Sequence, residues 1–139
     1  MKLDINDKLF SELKRGSRTN CQRCGKQADP KGLHCCHIFS RKYYSTRFDP
    51  ENAVVLCFSC HSWFDTHKMT ACFWDSAKRV FTDKEESFHF LVKRLGYTWD
   101  QLIELCHKSQ VPFKGYKAKK KDISKYLRGL IKEQEGIRE

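Results

Sequence analysis

Apolar positions recur along the chain with a spacing that changes from helical to extended and back. Leu3, Ile5, Leu9, Phe10 and Leu13 share one helical face, so residues 3–14 are read as a short helix stopped near Gly16. Leu33 to Phe39 and Ala53 to Phe58 are short apolar runs. Each follows a turn signal, Asp29-Pro30-Lys31-Gly32 and Asp49-Pro50-Glu51-Asn52, and each predicts a strand. From His61 the pattern becomes helical: residues 61–67 open a helix, and residues 70–80 continue it or begin another. Thr82-Asp83-Lys84-Glu85 reads as a capped helix start with Phe88, Leu91, Val92 and Leu95 as its apolar stripe, stopped by Gly96. Thr98 caps a further helix with Leu102, Ile103, Leu105 and Cys106. Val111 to Lys121 reads as a basic linker, densest over 114–121. Ile123 to Glu135 is a final amphipathic helix with Tyr126, Leu127, Leu130 and Ile131 on one side. No internal repeat or strong boundary is visible, so the pattern predicts one α+β domain over residues 1–139, whose last part, 69–139, is a helical extension.

The cysteines change the picture of what holds this small domain together. Four of the eight fall into two C-x-x-C pairs, Cys21/Cys24 and Cys57/Cys60, each a two-thiolate bite suited to a tetrahedral metal. Gly25 follows the first pair where the chain must reverse. Four thiolates leave no open position, so the expected ion is a structural Zn²⁺. Redox disulfides are the duller reading, but no βαβ pattern surrounds either pair. Cys35 and Cys36 could each compete as a ligand, though adjacent cysteines do not easily chelate one ion. Cys72 and Cys106 sit in helical apolar patterns and are expected in the core. Met1 to Asp7 lacks the apolar run of a signal peptide, and thiols of this kind suit a reducing compartment, so the expected location is cytoplasmic.

Charge then narrows the partner. Lys and Arg number 27 against 17 Asp and Glu, a formal net charge of +10, which favours a polyanion such as nucleic acid. A surface tuned for solubility is the bland alternative. No apolar span of membrane length exists, so a membrane partner is not expected. Arg41, Lys42, Tyr43, Tyr44 and Arg47 interleave positive charge with aromatic rings. Such a run can hold phosphates and stack on an exposed base, although one or both tyrosines could face the core. Lys114, Lys117, Lys119, Lys120 and Lys121 form a second cluster, either phosphate-tracking or a solvated linker. Neither resembles a groove-reading helix, so backbone recognition with strong salt dependence is expected.

Between the two cysteine pairs lie His34-Cys35-Cys36-His37-Ile38, Arg41, Arg47, Asp49 and Asn52, and His61 directly follows Cys60. A histidine, an asparagine and a histidine in that order, wrapped by two knuckles, resemble the HNH, or ββα-metal, endonuclease family. The stretch HIFSRKYYSTRFDPENAVVLCFSCH carries the resemblance. Its H-I-x-x-R, T-R-F-D-x-x-N and L-C-x-x-C-H elements look most like the phage recombination endonucleases of the NinG/Rap type. The resemblance implies a zinc-stapled ββα-metal core over residues 18–68, with the N-terminal helix and the helical extension packed around it. It implies His37 as general base, Asn52 as the residue that fixes the loop and orients that base, and His61 as ligand of a catalytic Mg²⁺ or Mn²⁺ ion. Arg41 and Arg47 become candidates to clamp phosphate oxygens, with Lys42 and Tyr43 beside them. The chemistry agrees, because an imidazole titrates near neutral pH and phosphodiester hydrolysis needs both a base and a cation.

One position departs from the family. Many members place Asp or His immediately before the general base as a second metal ligand, and here that residue is Cys36. A thiolate is a poor partner for a hard ion. Asp65, four residues after His61 on the same helical face, is preferred in its place, with His34 as the alternative. The expected activity is a DNA endonuclease acting on duplex or branched DNA, with one cut per site, so that a double-strand break needs a dimer or two events. The alternatives are a non-catalytic zinc module that binds DNA with a decayed site, and a protein-interaction domain using the helical tail.

Overall fold

Two short strands lie at the centre of the molecule. The computed structural model describes residues 3–29, 32–67 and 86–138. The helix expected within 70–80, the capped start at 82–85 and the core role of Cys72 lie outside the described residues. In chain order the elements are α1 (Ile5–Arg15), β1 (Leu33–His37), α2 (Tyr44–Arg47), a 3₁₀ turn (Pro50–Asn52), β2 (Ala53–Cys57), α3 (Phe58–Thr66), α4 (Glu86–Leu95), α5 (Trp99–Ser109) and α6 (Tyr116–Arg138). The fold is therefore mixed helix with a small antiparallel sheet.

β1 and β2 pair antiparallel from Leu33 opposite Cys57 to His37 opposite Ala53. Every residue of β2 is buried. The reason lies partly in the first knuckle, which docks along it: Gln22 N–H donates to the Val55 carbonyl at 3.0 Å and the Gln22 side-chain oxygen accepts from Val55 N–H at 2.7 Å. The period of two in β1 sends alternate side chains to opposite sides. Cys36 joins a core with Leu33, Phe64, Phe88, Leu91, Leu102 and Cys106. Cys35 instead packs against Leu9, Phe10, Leu13 and Leu127, supplied by α1 and α6. The hairpin is thus sandwiched, with α3 on one face and α1 on the other.

Local chemistry explains the helix ends. The Asp4 carboxylate accepts from the Asn6 and Asp7 N–H groups, and the Asp7 carboxylate accepts from Asp4 N–H at 2.9 Å. This reciprocal box fixes the start of α1. Gly16, at φ 49, ends it in a conformation that favours glycine. Thr98 and Gln101 form the same kind of box at α5. Cys106 is buried, as the apolar pattern predicted.

The basic linker over 114–121 is corrected: α6 begins at Tyr116 and runs unbroken to Arg138. Gly115, at φ 75, is the break, and the lysines after it are good helix formers. Long-range contacts hold this first stretch, since Asn6 donates to the Lys120 carbonyl and to the Tyr116 hydroxyl, both at 3.1 Å, while the Tyr116 hydroxyl donates to Asp4. Leu127 is fully buried, but Tyr126, expected on the apolar side, faces solvent at 51% exposure.

Candidate active site

The two cysteine pairs converge. The sulfurs of Cys21, Cys24, Cys57 and Cys60 all lie within 4.8 Å of one another. Cys24 and Cys57 are 3.8 Å apart, too long for a disulfide, whose bond is about 2.05 Å. A tetrahedron with Zn–S bonds of about 2.3 Å has edges close to that separation. Donors point at the sulfurs: Arg23 N–H to Cys21 and Lys26 N–H to Cys24 at 3.4 Å, and the Arg23 guanidinium to Cys60 at 3.5 Å. Burial raises the Cys21 thiol, but backbone donors at Cys24, Cys57 and Arg23 overcome it and hold that group down at about 6. Burial, reinforced by the neighbouring sulfurs, pushes Cys60 up to about 12. Sulfurs this crowded cannot all ionise alone, and a divalent cation among them relieves that conflict. The cluster is compatible with zinc.

Cys57 and Cys60 also anchor the start of α3, which places His61 and Asp65 on its first two turns. His61 Nε2 lies 3.2 Å from the Asp65 carboxylate, and His61 Nδ1 lies 3.0 Å from His34 Nδ1 on β1. Cys36, fully buried on the same face of β1, has its sulfur 4.0 Å from Asp65. Donor atoms of Cys36, His61 and Asp65 lie within 4.8 Å of one another, making a second cluster with metal-ligand character. Burial, then electrostatic interaction with His61 and Arg15, lowers the basicity of His34. Both residues weighed as partners of His61 therefore touch it, one at each ring nitrogen.

His37 faces the opposite side of β1. Its ring packs 5.3 Å from Phe10, and its Nε2 lies 2.9 Å from the Arg47 carbonyl oxygen. A carbonyl only accepts, so Nε2 carries the hydrogen, and in the neutral ring the lone pair sits on Nδ1. Asn52 is fully buried and ties the intervening loop together. Its side chain donates to the Phe39 and Thr46 carbonyls, each at 3.0 Å, and accepts from Phe39 N–H at 2.9 Å. It reaches His37 indirectly, by fixing the segment that presents the Arg47 carbonyl.

A groove of about 830 Å³ draws these parts together, lined among others by His34, His37, His61 and Asp65. Arg41, Lys42 and Tyr43 line it as well. Lys42 is exposed, with its ammonium 5.0 Å from the Tyr43 ring centroid. Asp49 caps the 3₁₀ turn by accepting from Glu51 N–H at 3.0 Å and pairs with Lys108 at 2.5 Å, a bracing role.

Arg47, expected to clamp phosphate, is corrected. It is 2% exposed and forms a two-pronged pair with Asp7, at 2.9 and 2.6 Å. A guanidinium locked inside on a carboxylate is not available to a phosphate. Its side chain is held by Asp7, and its backbone carbonyl accepts from His37 Nε2–H. Asp7 was missed by sequence reasoning, as were Lys8, Ser11 and Arg15, which carry α1 into the groove wall. The Asp4/Asp7 spacing was a visible capping signal, but nothing local ties Asp7 to an arginine 40 positions away. Among the described residues no helix is long and apolar enough to cross a membrane.

Residues 21–70 match the family model described as HNH endonuclease. That span encloses both donor clusters together with His37 and Asn52. No curated protein and no solved structure matches the chain.

Proposed function

We propose that this protein is a metal-dependent endonuclease that hydrolyses DNA phosphodiester bonds, with His37 as its general base. The observation that carries the reading is the anchored imidazole: Nε2–H donates to the Arg47 carbonyl at 2.9 Å, which puts the basic lone pair of the neutral ring on Nδ1, on the wall of a groove that also holds His61 and Asp65. His37 Nδ1 takes a proton from water, and the resulting hydroxide oxygen bonds to phosphorus. The P–O bond to the leaving sugar oxygen then breaks, and that oxygen is protonated from solvent. A divalent ion held at His61 and Asp65, which the sequence reading gave as Mg²⁺ or Mn²⁺, supplies charge neutralisation for the phosphate when bound. Arg41 and Lys42 hold the flanking backbone, and Tyr43 stands where a splayed base could stack. Asn52 and Asp7 are positioning residues, acting through the Arg47 carbonyl.

The finer parts of the reading rest on the resemblance in the H-I-x-x-R and T-R-F-D-x-x-N elements. They are a ββα-metal core over residues 18–68, a phage recombination or DNA-processing role in a bacterial cytoplasm, and action on duplex or branched DNA. Cleavage occurs one strand at a time, so a dimer or two events make a double-strand break.

The test is nicking of supercoiled plasmid with Mg²⁺, Mn²⁺ or Zn²⁺ supplied. Wild type should nick, and His37→Ala should be slower by roughly 10² to 10⁴-fold while retaining its structural zinc. Equal cutting by the variant removes His37 from the mechanism. The fully buried Cys36, where the family offers a carboxylate or imidazole, favours one rival: a DNA-binding zinc module without catalysis. Tight binding with no cleavage of plasmid, forks or four-way junctions under any of these ions would establish it.

A further inference from the structure

The second donor cluster differs from what a magnesium enzyme presents. Its three members offer one sulfur, one imidazole nitrogen and one carboxylate, from Cys36, His61 and Asp65. Mg²⁺ demands near-octahedral oxygen coordination and keeps its waters. Only Asp65 supplies oxygen here. Cys36 is fully buried, so water cannot readily take its place, and the sulfur must either bind the ion or stand beside it as an unhelpful apolar neighbour. Thiolate and imidazole are instead the donors of zinc and its neighbours.

We infer that Cys36, His61 and Asp65 form a three-ligand site for a borderline transition-metal ion, Zn²⁺ foremost, in preference to Mg²⁺. The ring orientation of His61 supports this ligand set. Its Nε2 faces Asp65 at 3.2 Å and is the coordinating atom. Its Nδ1 faces His34 Nδ1 at 3.0 Å, the outer hydrogen bond that a metal-bound histidine ordinarily makes. His34 is thereby a supporting partner and not a fourth ligand. His61 and Asp65 line the groove while Cys36 does not, so the sulfur closes the inner side and the remaining position opens toward the groove. Three protein ligands and one open position are the arrangement of a zinc ion that does chemistry, whereas the four-cysteine cluster is closed. That the ion serves strand cleavage rests on the nuclease reading above; its identity rests on these donors.

The experiment measures metal in the absence of DNA. Full-length protein already carrying zinc in the four-cysteine cluster is titrated with Co²⁺ and, separately, with Zn²⁺ and Mg²⁺. Wild type should take up one further Co²⁺ or Zn²⁺, with a near-ultraviolet sulfur-to-cobalt band, and should bind Mg²⁺ more weakly. Cys36→Ser should lose that band and bind the second Zn²⁺ at least roughly tenfold more weakly. Cys36→Asp should shift preference toward Mg²⁺. Asp65→Ala, at a half-exposed position that leaves the core intact, should also lose affinity for the second ion and keeps the test open if the Cys36 variants fold poorly. Unchanged cobalt spectra in Cys36→Ser, no second ion in wild type, or Mg²⁺ bound as tightly as Zn²⁺ would each overturn the inference. A protein that binds the second Zn²⁺ but leaves all DNA uncut keeps the inference and removes the nuclease reading.

Discussion

Two clusters of side chains able to ligate a metal meet at one peptide bond, between Cys60 and His61, and they are built on opposite terms. The first gathers four identical donors, three of them buried, and joins the chain's two knuckles. The second gathers three different donors, from a fully buried Cys36 to a half-exposed Asp65, on the wall of a groove. The opening turns of α3 serve both. Its start is fixed by Cys57 and Cys60, and His61 and Asp65 follow at a spacing that stacks them on one helical face. On the function proposed above, the closed cluster is a stability device and the open one a chemical device, the first fixing the backbone from which the second projects.

The largest expected effect strikes the closed cluster. Structural zinc contributes on the order of 10 kcal/mol of folding free energy in small domains, comparable with the whole stability of about 5–15 kcal/mol. Cys21→Ser should therefore lose its zinc and most of its cooperative melting transition. Asp65→Ala, in the open cluster, should stay within about 1 kcal/mol of wild type. Metal content and thermal unfolding followed by circular dichroism read both. A Cys21→Ser protein that melts like wild type, or an Asp65→Ala protein that does not fold, would erase the distinction between the clusters.

Next in size is the ion pair beneath the opposite face of β1. Asp7 and Arg47 are both buried and doubly bonded. Removing one partner of such a pair leaves a buried charge without its counterion and costs about 3–5 kcal/mol. Asp7→Ala should lose that much in denaturant unfolding. It should also lose cleavage beyond what the unfolded fraction explains, because the Arg47 carbonyl no longer holds the Nε2–H of His37. Rescue of the His37 ring signature, read by nitrogen NMR, in Asp7→Glu but not in Asp7→Ala would separate positioning from stability. A variant with full stability would show that the pair contributes little.

How far the sequence was legible follows from the range of each signal. The knuckles, the hairpin and the pairing of His61 with Asp65 come from spacings of three or four residues or from short apolar runs, and all appear where local geometry places them. The structure, through the strand period, puts His34 and Cys36 on one face and His37 on the other, a split that sequence reasoning did not draw. What failed is non-local. Arg47 lies in a basic, aromatic run that reads as a phosphate clamp, yet a carboxylate on α1 draws it into the interior. Lys117 to Lys121 read as linker because charge density outweighed the helix propensity of lysine. The contacts of Asn6 with Tyr116 and Lys120 that fasten this stretch span more than a hundred residues.

The smallest expected effect concerns the arginine and lysine that remain at the surface of the groove, and it tests the sorting of basic residues into inside and outside. Each phosphate-bound cation contributes about 0.9 to the slope of log affinity against log salt on duplex DNA. In a His37→Ala background, where the DNA stays intact, replacing both Arg41 and Lys42 with Ala should lower the slope by roughly 1 to 2 and weaken binding severalfold at moderate salt. The fold should be unaffected, because Lys42 is exposed and neither residue joins a buried ion pair in the way Arg47 does. Arg47→Ala should do the reverse: it should destabilise the protein while leaving the salt slope of the folded fraction unchanged. Fluorescence anisotropy across a salt series reads the slopes. If Arg47→Ala lowers the slope as Arg41→Ala does, the guanidinium leaves Asp7 when DNA arrives, and its buried position would be one state of a switch and not a fixed support for His37.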